Sequence, residues 1–352
     1  MKVLIYGAGV LGSLYAARLQ ESGNQVSLLA RGQRLKDLRA YGILYEDARG
    51  GFRHHTNVEI VEKITPEDTY DLIIVLVRKN QLPGVLRQLA SNQNCPNILI
   101  MSNNPAGTEE MARALGRERI LLGFPGAGGT MSGPLVRYIP ISRWLQPTAL
   151  GELDGKSSER VFAIASMFQK AGFPVALYKD MDAYLRTHAA WVSPVANAIY
   201  LADGSVNHLA HTPDGLVLMV RAIRENFRVL NKLGIHITPS RYALVGWLPE
   251  PLLIAALKQL FHTQLAKIAF EQHANRARED EMIELAEDLS EMARLAHFST
   301  PASDRLADYI NPIKPAMPPG SAKIAKDWRE MWVIFWILLG MFGWHWFTGR
   351  RK

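Results

Sequence analysis

A glycine-rich turn at the start of the chain limits its possible folds more than any other feature. The apolar run "KVLIY" (2–6) predicts a buried strand, "GAGVLG" (7–12) follows it, and "SLYAARLQESG" then has helical spacing. The run "NQVSLLA" (24–30) predicts a second strand. Strand, glycine turn, helix and strand within thirty residues are typical of a dinucleotide-binding unit. We therefore expect a Rossmann-type α/β domain at the N-terminus.

Each glycine of this turn has a separate physical reason. Gly7 permits the tight turn, Gly9 lets the backbone approach a pyrophosphate, and Gly12 lets the helix pack on the strand. The N-terminus of the helix then faces the phosphate charge. The predicted cofactor-binding turn comprises Gly7, Ala8, Gly9, Val10, Leu11 and Gly12.

The residue after the second strand discriminates between cofactors. A fold specific for NAD usually has Asp or Glu there, whereas this chain has Arg31, with Arg34 close behind. A guanidinium suits a ribose 2′-phosphate and can stack on adenine. This favours NADP(H); the alternative is that Arg31 is an ordinary solvated loop residue.

The chain changes character near residue 180. Further apolar runs at 71–77, 97–103 and 119–124 predict strands with helices between them, and 43–60 predicts an extra pair of strands. From 182 onward the pattern is helical, at about 182–201, 214–233, 251–275, 280–297 and 302–310. We expect four segments: a Rossmann-type domain (1–180), a helical substrate or dimerisation domain (181–310), a proline-rich linker (311–327) and a hydrophobic C-terminal helix (328–352).

Composition excludes several classes of protein. The single cysteine, Cys95, rules out an intramolecular disulfide and fits a reducing compartment, and its spacing from histidines suggests no metal site. The net charge is +7, but no basic stripe with interleaved aromatics predicts nucleic-acid binding. The N-terminus does not have the pattern of a signal peptide, so we expect the catalytic part to be cytoplasmic.

Four stretches together resemble the ketopantoate reductase (2-dehydropantoate 2-reductase) family: "KVLIYGAGVLGSLYAARL" (2–19), "LLAR" ending at Arg31, "VRKNQ" (77–81) and "SNNPAGTEEM" (102–111). The resemblance implies a reductase that binds NADPH through the glycine turn and Arg31. It also implies roles for Lys79 followed by Gln81, with Arg78 as a competing match, and for Asn103 at both cofactor and substrate. The family's alanine in the following loop falls near Gly128.

The second domain departs from the family pattern. Counting back from Pro301 places Glu281, with Arg278 three residues before it, at the family's catalytic glutamate. The family's proton-donating lysine falls on Leu185 in one register and on Thr187 in another, and Lys179 lies too far upstream. The substrate-binding asparagines become Ala189 and Ser193, or Trp191 and Val195, which leaves Ser193 as a candidate substrate ligand.

With no lysine in the stretch "LRTHAAWVSP" (185–194), His188 is the candidate proton donor. Opine dehydrogenases resemble this two-domain plan and use a histidine as acid and base, and a histidine ordinarily titrates near neutrality. Arg186 holds its proton too tightly to donate it. The alternative is a hydrogen-bonded histidine buried between the domains.

The last twenty-five residues suggest contact with lipid. Residues 331–347 carry no charge if His345 is neutral, tryptophans lie near both ends, and "RRK" ends the chain. The segment can span a bilayer, lie in its interface, or dock in a protein core or oligomer interface.

Two functions follow from these observations. The first is an NADPH-dependent reductase of a 2-oxo acid or a derived imine, in which Asn103, Glu281 and His188 are catalytic, with a homodimer as the candidate assembly. The second is a non-catalytic, membrane-tethered NADPH-binding module. The intact glycine turn fits both, whereas the retained Asn103 and Glu281 favour the enzyme.

Overall fold

The computed structural model describes residues 1–329, 331 and 332. Its N-terminal part is built on one eight-stranded sheet and one four-stranded sheet, in the orders β12-β11-β8-β7-β6-β1-β2-β5 and β4-β3-β10-β9. The strands are β1 (Lys2–Tyr6), β2 (Gln25–Leu29), β3 (Ile43–Asp47), β4 (His54–Thr56), β5 (Glu59–Val61), β6 (Leu72–Val75), β7 (Ile98–Ile100), β8 (Ile120–Phe124), β9 (Ala127–Ser132), β10 (Leu135–Pro140), β11 (Thr148–Glu152) and β12 (Val175–Leu177).

The large sheet is parallel from β5 through β8. β11 turns antiparallel to β8, and β12 then pairs parallel with β11. The central strands β1, β6, β7 and β8 are buried along nearly their whole length, which is why their sequences are continuous apolar runs rather than alternating ones. The carboxyl ends of these parallel strands share one edge, where ligands bind in such folds.

The helices lie around the large sheet and then form a separate layer. They are α1 (Val10–Glu21), α2 (Gly32–Tyr41), α3 (Leu82–Ala90), α4 (Glu109–Leu115), α5 (Glu159–Lys170), α6 (Met181–Leu201), α7 (Val206–Ala210), α8 (Pro213–Lys232), α9 (Glu250–Phe261), α10 (Gln272–Ala277), α11 (Glu281–Leu295) and α12 (Pro301–Ala307). From α6 onward the described chain forms no strands, and α6 and α8 are buried along most of their length. The expected α/β domain followed by a helical domain is confirmed.

Helix α6 joins the two parts and contains a proline in its interior. Asp180 caps it by accepting a hydrogen bond from the backbone of Ala183 (2.8 Å). Pro194 has no N–H to donate to the carbonyl of Ala190. The side chain of Asn226 on α8 donates to that carbonyl instead (3.3 Å), so the helix continues past the proline.

Two predicted segments differ in the structure. The region 43–60, expected to be a pair of strands, contains β3, β4 and the start of β5, and β5 forms an edge of the large sheet. The single helix expected over 251–275 was wrong: α9 ends at Phe261, and a π-helical turn (Ala266–Glu271) precedes α10. The hydroxyl of Thr263 donates to the carbonyl of Leu260 (2.7 Å) and accepts from the backbone of Ala266 (3.3 Å), so it competes with the helical ladder.

The proline-rich segment 311–327 contains no helix or strand and lies against the helical domain. Asp214 accepts hydrogen bonds from Ser321, Lys323 and Ile324, and Glu250 accepts one from the backbone of Asp327 (2.9 Å). Most of the hydrophobic segment expected at 328–352 lies outside the described residues. Across residues 1–329, 331 and 332, we find no helix with the length and apolar character needed to cross a bilayer.

Candidate functional site

A cavity of about 870 Å³ lies between the glycine turn and the helical domain. The N-terminal part contributes the turn, Arg31, Arg78, Asn103 and Gly128 to its wall. The helical domain contributes side chains from α6, from the π-helical turn, from α10 and from the start of α11. Since it opens at the carboxyl edge of the parallel strands, it has the position and size of a dinucleotide site.

The glycine turn has the geometry predicted for its three glycines. Gly7 has φ +114°, and a Cβ there would lie 2.5 Å from the carbonyl oxygen of Leu76. A Cβ on Gly12 would lie 1.7 Å from the carbonyl oxygen of Gly7, so only glycine lets α1 start so close to the turn. A Cβ on Gly9 meets no atom within 4 Å, because its Cα faces the open cavity. This open space beside backbone N–H groups fits a pyrophosphate.

The two arginines after β2 do different things. Arg31 begins α2, and its Nη2 donates to the Tyr6 hydroxyl (3.1 Å) and to Oε1 of Gln88 (2.7 Å) on the cavity wall. Arg34 instead donates to the carbonyl of Ala8 (3.2 Å) and to the hydroxyl of Ser13 (3.0 Å). Arg34 therefore holds the glycine turn in place, while Arg31 has only neutral partners and can exchange them for an anion.

A buried pair of polar side chains spans the two domains. Nδ2 of Asn103 donates to Oε1 of Glu281 (3.0 Å), and both residues line the cavity. Glu281 is only 3% exposed, at the start of α11, where Asp280 accepts from its backbone N–H. The Oδ1 of Asn103 and the hydroxyl of Ser102 are buried, and neither has a hydrogen-bonding partner within the described residues. Buried polar atoms without partners are costly, so these two atoms indicate a polar ligand.

His188 lines the same cavity, with its ring centroid 4.0 Å from that of Phe124. Burial, with a smaller contribution from the charge of His273, lowers the pKa of His188 to about 3. The expectation that this histidine titrates near neutrality is therefore wrong: in the free protein it is a neutral imidazole. It can donate or accept a hydrogen bond, but it holds no proton to release at neutral pH.

Neither candidate register for the family's lysine reaches the cavity. Leu185 is buried in the core, and the hydroxyl of Thr187 accepts from the backbone of Thr238 (3.1 Å). The α6 side chains on the cavity wall are those of His188 and Val192, one helical turn apart. No lysine is found among the described residues that line the cavity.

The remaining candidates on α6 point elsewhere. Arg186 pairs with Asp182 (2.7 Å), and Trp191 stacks on Tyr242. Ser193 lines a second cavity, of about 400 Å³, between α6, α11 and α12. Its assignment as a substrate ligand was wrong, because position 193 faces away from the glycine turn. Ala189 and Val195 are buried in the helical core.

Lys79 was also assigned to the wrong surface. Its Nζ lies 2.5 Å from Oδ2 of Asp288 and 3.5 Å from Oε2 of Glu284, so the side chain lies against α11 and outside the cavity wall. Arg78, the competing match, and Gln81 line the cavity. Arg78 forms an ion pair with Asp280, beside Glu281, and this pair connects the two domains.

Sequence reasoning missed two side chains on α10, His273 and Arg276, which both line the cavity. Nε2 of His273 lies 4.0 Å from Oε2 of Glu281, and Arg276 donates to the hydroxyl of Thr130 and the carbonyl of Met131. Arg278, by contrast, donates to the carbonyls of Tyr309 and Ile310. The helical pattern breaks after residue 261, and this break turns the side chains of α10 toward the cavity. The break was the feature that could have indicated these two residues.

The loop at Gly128 closes the cavity against the helical domain. A Cβ on Gly128 would lie 3.0 Å from Cβ of Ala269 in the π-helical turn. A larger residue would therefore separate β9 from the helical domain. Gly128 lines the cavity.

The profile of the family described as "Ketopantoate reductase PanE/ApbA" matches residues 3–144, which include the turn, Arg31, Asn103 and Gly128. Over these residues the chain matches the ketopantoate reductase family. A 2-dehydropantoate 2-reductase of Aquifex aeolicus is 26% identical over 66% of this chain and 73% of its own length. One of Mesorhizobium japonicum is 24% identical over 88% of this chain and 97% of its own length.

Solved structures extend the match in fold to the helical domain. A 2-dehydropantoate 2-reductase from Geobacter metallireducens superimposes with a TM-score of 0.73 at 20% identity, over 89% of this chain and 100% of that one. The ternary structure of D-mandelate dehydrogenase with NADH and anilino(oxo)acetate gives 0.70 at 19% identity, over 88% and 97%. The relatives named 2-dehydropantoate 2-reductase support an oxidoreductase of this type.

Proposed function

We propose that this protein is an NADP(H)-dependent reductase of a small 2-oxo acid or of an imine derived from one. The observation that carries this proposal is the buried Asn103–Glu281 pair in the same cavity as the glycine turn. The partnerless Oδ1 of Asn103 and hydroxyl of Ser102 add a donor and an acceptor for a polar substrate. A cavity used only to hold a cofactor has no need of such groups at its inner end.

NADP(H) is preferred to NAD(H) because the β2 edge offers a cation and no acid. Arg31 is the residue after Ala30 at this edge, and its bonds to Tyr6 and Gln88 are to neutral groups. Its guanidinium can therefore turn to a 2′-phosphate without breaking an ion pair. The D-mandelate dehydrogenase neighbour was solved with NADH.

A bound reduced nicotinamide would supply the hydride. The side chains of this protein would then bind the oxo group and deliver the proton. His188, neutral at pH 7, donates an N–H to the substrate oxygen or nitrogen, as an uncharged imidazole can. His273, half-exposed and 4.0 Å from Glu281, is the side chain that supplies the proton that the product gains.

The carboxylate of the substrate needs a positive partner, and Arg276 provides one. Its hydrogen bonds to Thr130 and Met131 are to neutral groups. Burial and, to a smaller extent, repulsion from the charge of Arg78 lower the pKa of Arg276, and Asp280 is paired with Arg78. An anion between the two guanidinium groups would relieve that repulsion.

The test is NADPH oxidation by the purified full chain with a panel of 2-oxo acids, each with and without a primary amine. Turnover with one or more of them supports the reductase. Dependence on the amine assigns an imine as the substrate, because only then does a C=N bond form before reduction. Asn103→Ala should abolish turnover, and Arg39→Ala, on the outer face of α2, is the matched control.

The second candidate is a non-catalytic NADPH-binding module. Two observations favour it: the described cavity wall holds no lysine, and burial keeps His188 uncharged. This alternative predicts tight NADPH binding with no oxidation by any member of the panel. The same experiment therefore separates the two candidates.

A further inference from the structure

Four large apolar side chains lie exposed together where the described chain ends. Leu244 lies in the 3₁₀ turn Ser240–Gly246, Trp247 and Leu248 follow that turn, and Leu252 lies in the first turn of α9; we call these four residues the exit patch. Trp247 is 76% exposed. The carbonyl of Leu244 accepts from the backbones of Trp247 and Leu248, so these side chains leave one compact turn. Contiguous apolar surface of this kind marks a site of interaction.

The end of the described chain is fastened beside this patch. The backbone of Asp327 donates to Glu250 (2.9 Å), which lies two residues before Leu252. Arg221 holds Glu250 from the other side and also donates to the carbonyl of Ala325 (2.7 Å). The segment that leads to the apolar C-terminal sequence is thus fixed to the same turn that displays the exit patch.

The charge around the patch is mainly positive. Lys323 and Lys326 are exposed on the fastened segment, and the backbone N–H of Lys323 donates to Asp214 (3.0 Å). Of the acids here, Glu250 is buried and paired with Arg221, and Asp327 is paired with Arg329 (2.6 Å). An apolar centre that contains tryptophan, with lysines at its rim, complements the interface of an anionic bilayer.

We propose that the exit patch lies in the interface of an anionic lipid bilayer and orients the folded body on it. The twenty residues after position 332, "VIFWILLGMFGWHWFTGRRK", have the composition of a membrane-associated sequence. This sequence follows closely after Asp327, which is bonded to Glu250 beside the exit patch. This proposal does not depend on the reductase function, since none of the patch residues lines the cavity.

The test places a polarity-sensitive fluorophore on single cysteines of the full chain. Cys95 is fully buried, so a new surface cysteine is labelled selectively. Leu248→Cys and Leu252→Cys report on the patch. Phe52→Cys, 89% exposed between β3 and β4 of the other domain, is the matched control. Each labelled protein is reconstituted into phosphatidylcholine–phosphatidylserine vesicles with nitroxide-labelled headgroups, and quenching is compared with unlabelled vesicles.

We expect strong quenching at positions 248 and 252 and little at 52. The double variant Lys323→Glu and Lys326→Glu should weaken quenching at 248, because each cation near an anionic surface contributes about fivefold to binding. Equal quenching at 248 and 52 would overturn the proposal, since the body would then have no fixed orientation. Protection of 248 from aqueous iodide without lipid quenching would also overturn it, by showing that protein covers the patch. The proposal would also be overturned if the full chain failed to float with the vesicles.

Discussion

Replacing Arg31 by alanine should weaken NADPH binding and leave NADH binding nearly unchanged. In the free protein Arg31 donates to the Tyr6 hydroxyl and to Gln88, both neutral. Removing it therefore breaks no ion pair, and the buried Tyr6 hydroxyl keeps its hydrogen bond to Gln88. Since Arg34, not Arg31, holds the glycine turn, the fold of the site should survive the change.

The magnitude follows from what Arg31 exchanges on binding. A hydrogen bond to a charged group contributes about 1.5–3 kcal/mol, and two neutral bonds of about 1 kcal/mol or less are given up at an exposed site. The net loss in Arg31→Ala should be about 2 kcal/mol, or roughly 30-fold in Kd. Arg31→Lys keeps the charge but loses the forked geometry, so its loss should be intermediate.

The assay is fluorescence titration of each variant with NADPH and with NADH at fixed ionic strength. Arg39→Ala is the matched control, because Arg39 is on the same helix, is exposed, and pairs with Glu62 (2.7 Å) away from the cavity. An equal loss of affinity for both cofactors in Arg31→Ala would refute the reasoning. The residue would then support the adenosine or the fold, and not the 2′-phosphate.

Three further predictions concern the interior of the site. Burial lowers the pKa of His188 to about 3, whereas its pKa in the unfolded chain is near 6.5, so the folded state loses free energy of unfolding as the pH falls below that value. Between pH 7 and 5 the wild type should lose about 2 kcal/mol in this way. Urea unfolding of His188→Gln should not show this loss. Glu281→Gln should reduce turnover at least about tenfold while binding NADPH normally, whereas Glu281→Ala should also lower Tm, because it strands the buried amide of Asn103. Lys79→Ala should lower Tm, because it removes the ion pair with Asp288, and should leave the Kd for NADPH unchanged. A lower affinity for NADPH in this variant would show that Lys79 belongs to the cofactor site.

The local features of the N-terminal domain could be predicted from the sequence. Gly7, Gly9 and Gly12 have the conformations and close contacts that their spacing predicts, because a strand, a tight turn and a helix within thirty residues leave few alternatives. The end of β2 placed Arg31 on the cavity wall for the same local reason. The pairing of Asn103 with Glu281, 178 residues apart, was also anticipated in part, by placing both in one site.

The directions of side chains in the helical domain were decided only by tertiary structure. A helical pattern gives spacing but not rotation, so Ser193 and His188 both looked available, and packing of α6 turned only His188 toward the cavity. The same packing buried His188 and lowered its pKa. This effect depends on neighbours that are distant in sequence, such as Phe124, so residues 185–194 alone could not predict it. The break at Thr263 brought His273 into the site, because a local hydroxyl competed with the helix. The sequence determined where a cofactor can bind, and the packing of the two domains decided which groups meet it, since contacts between distant segments set both orientation and burial.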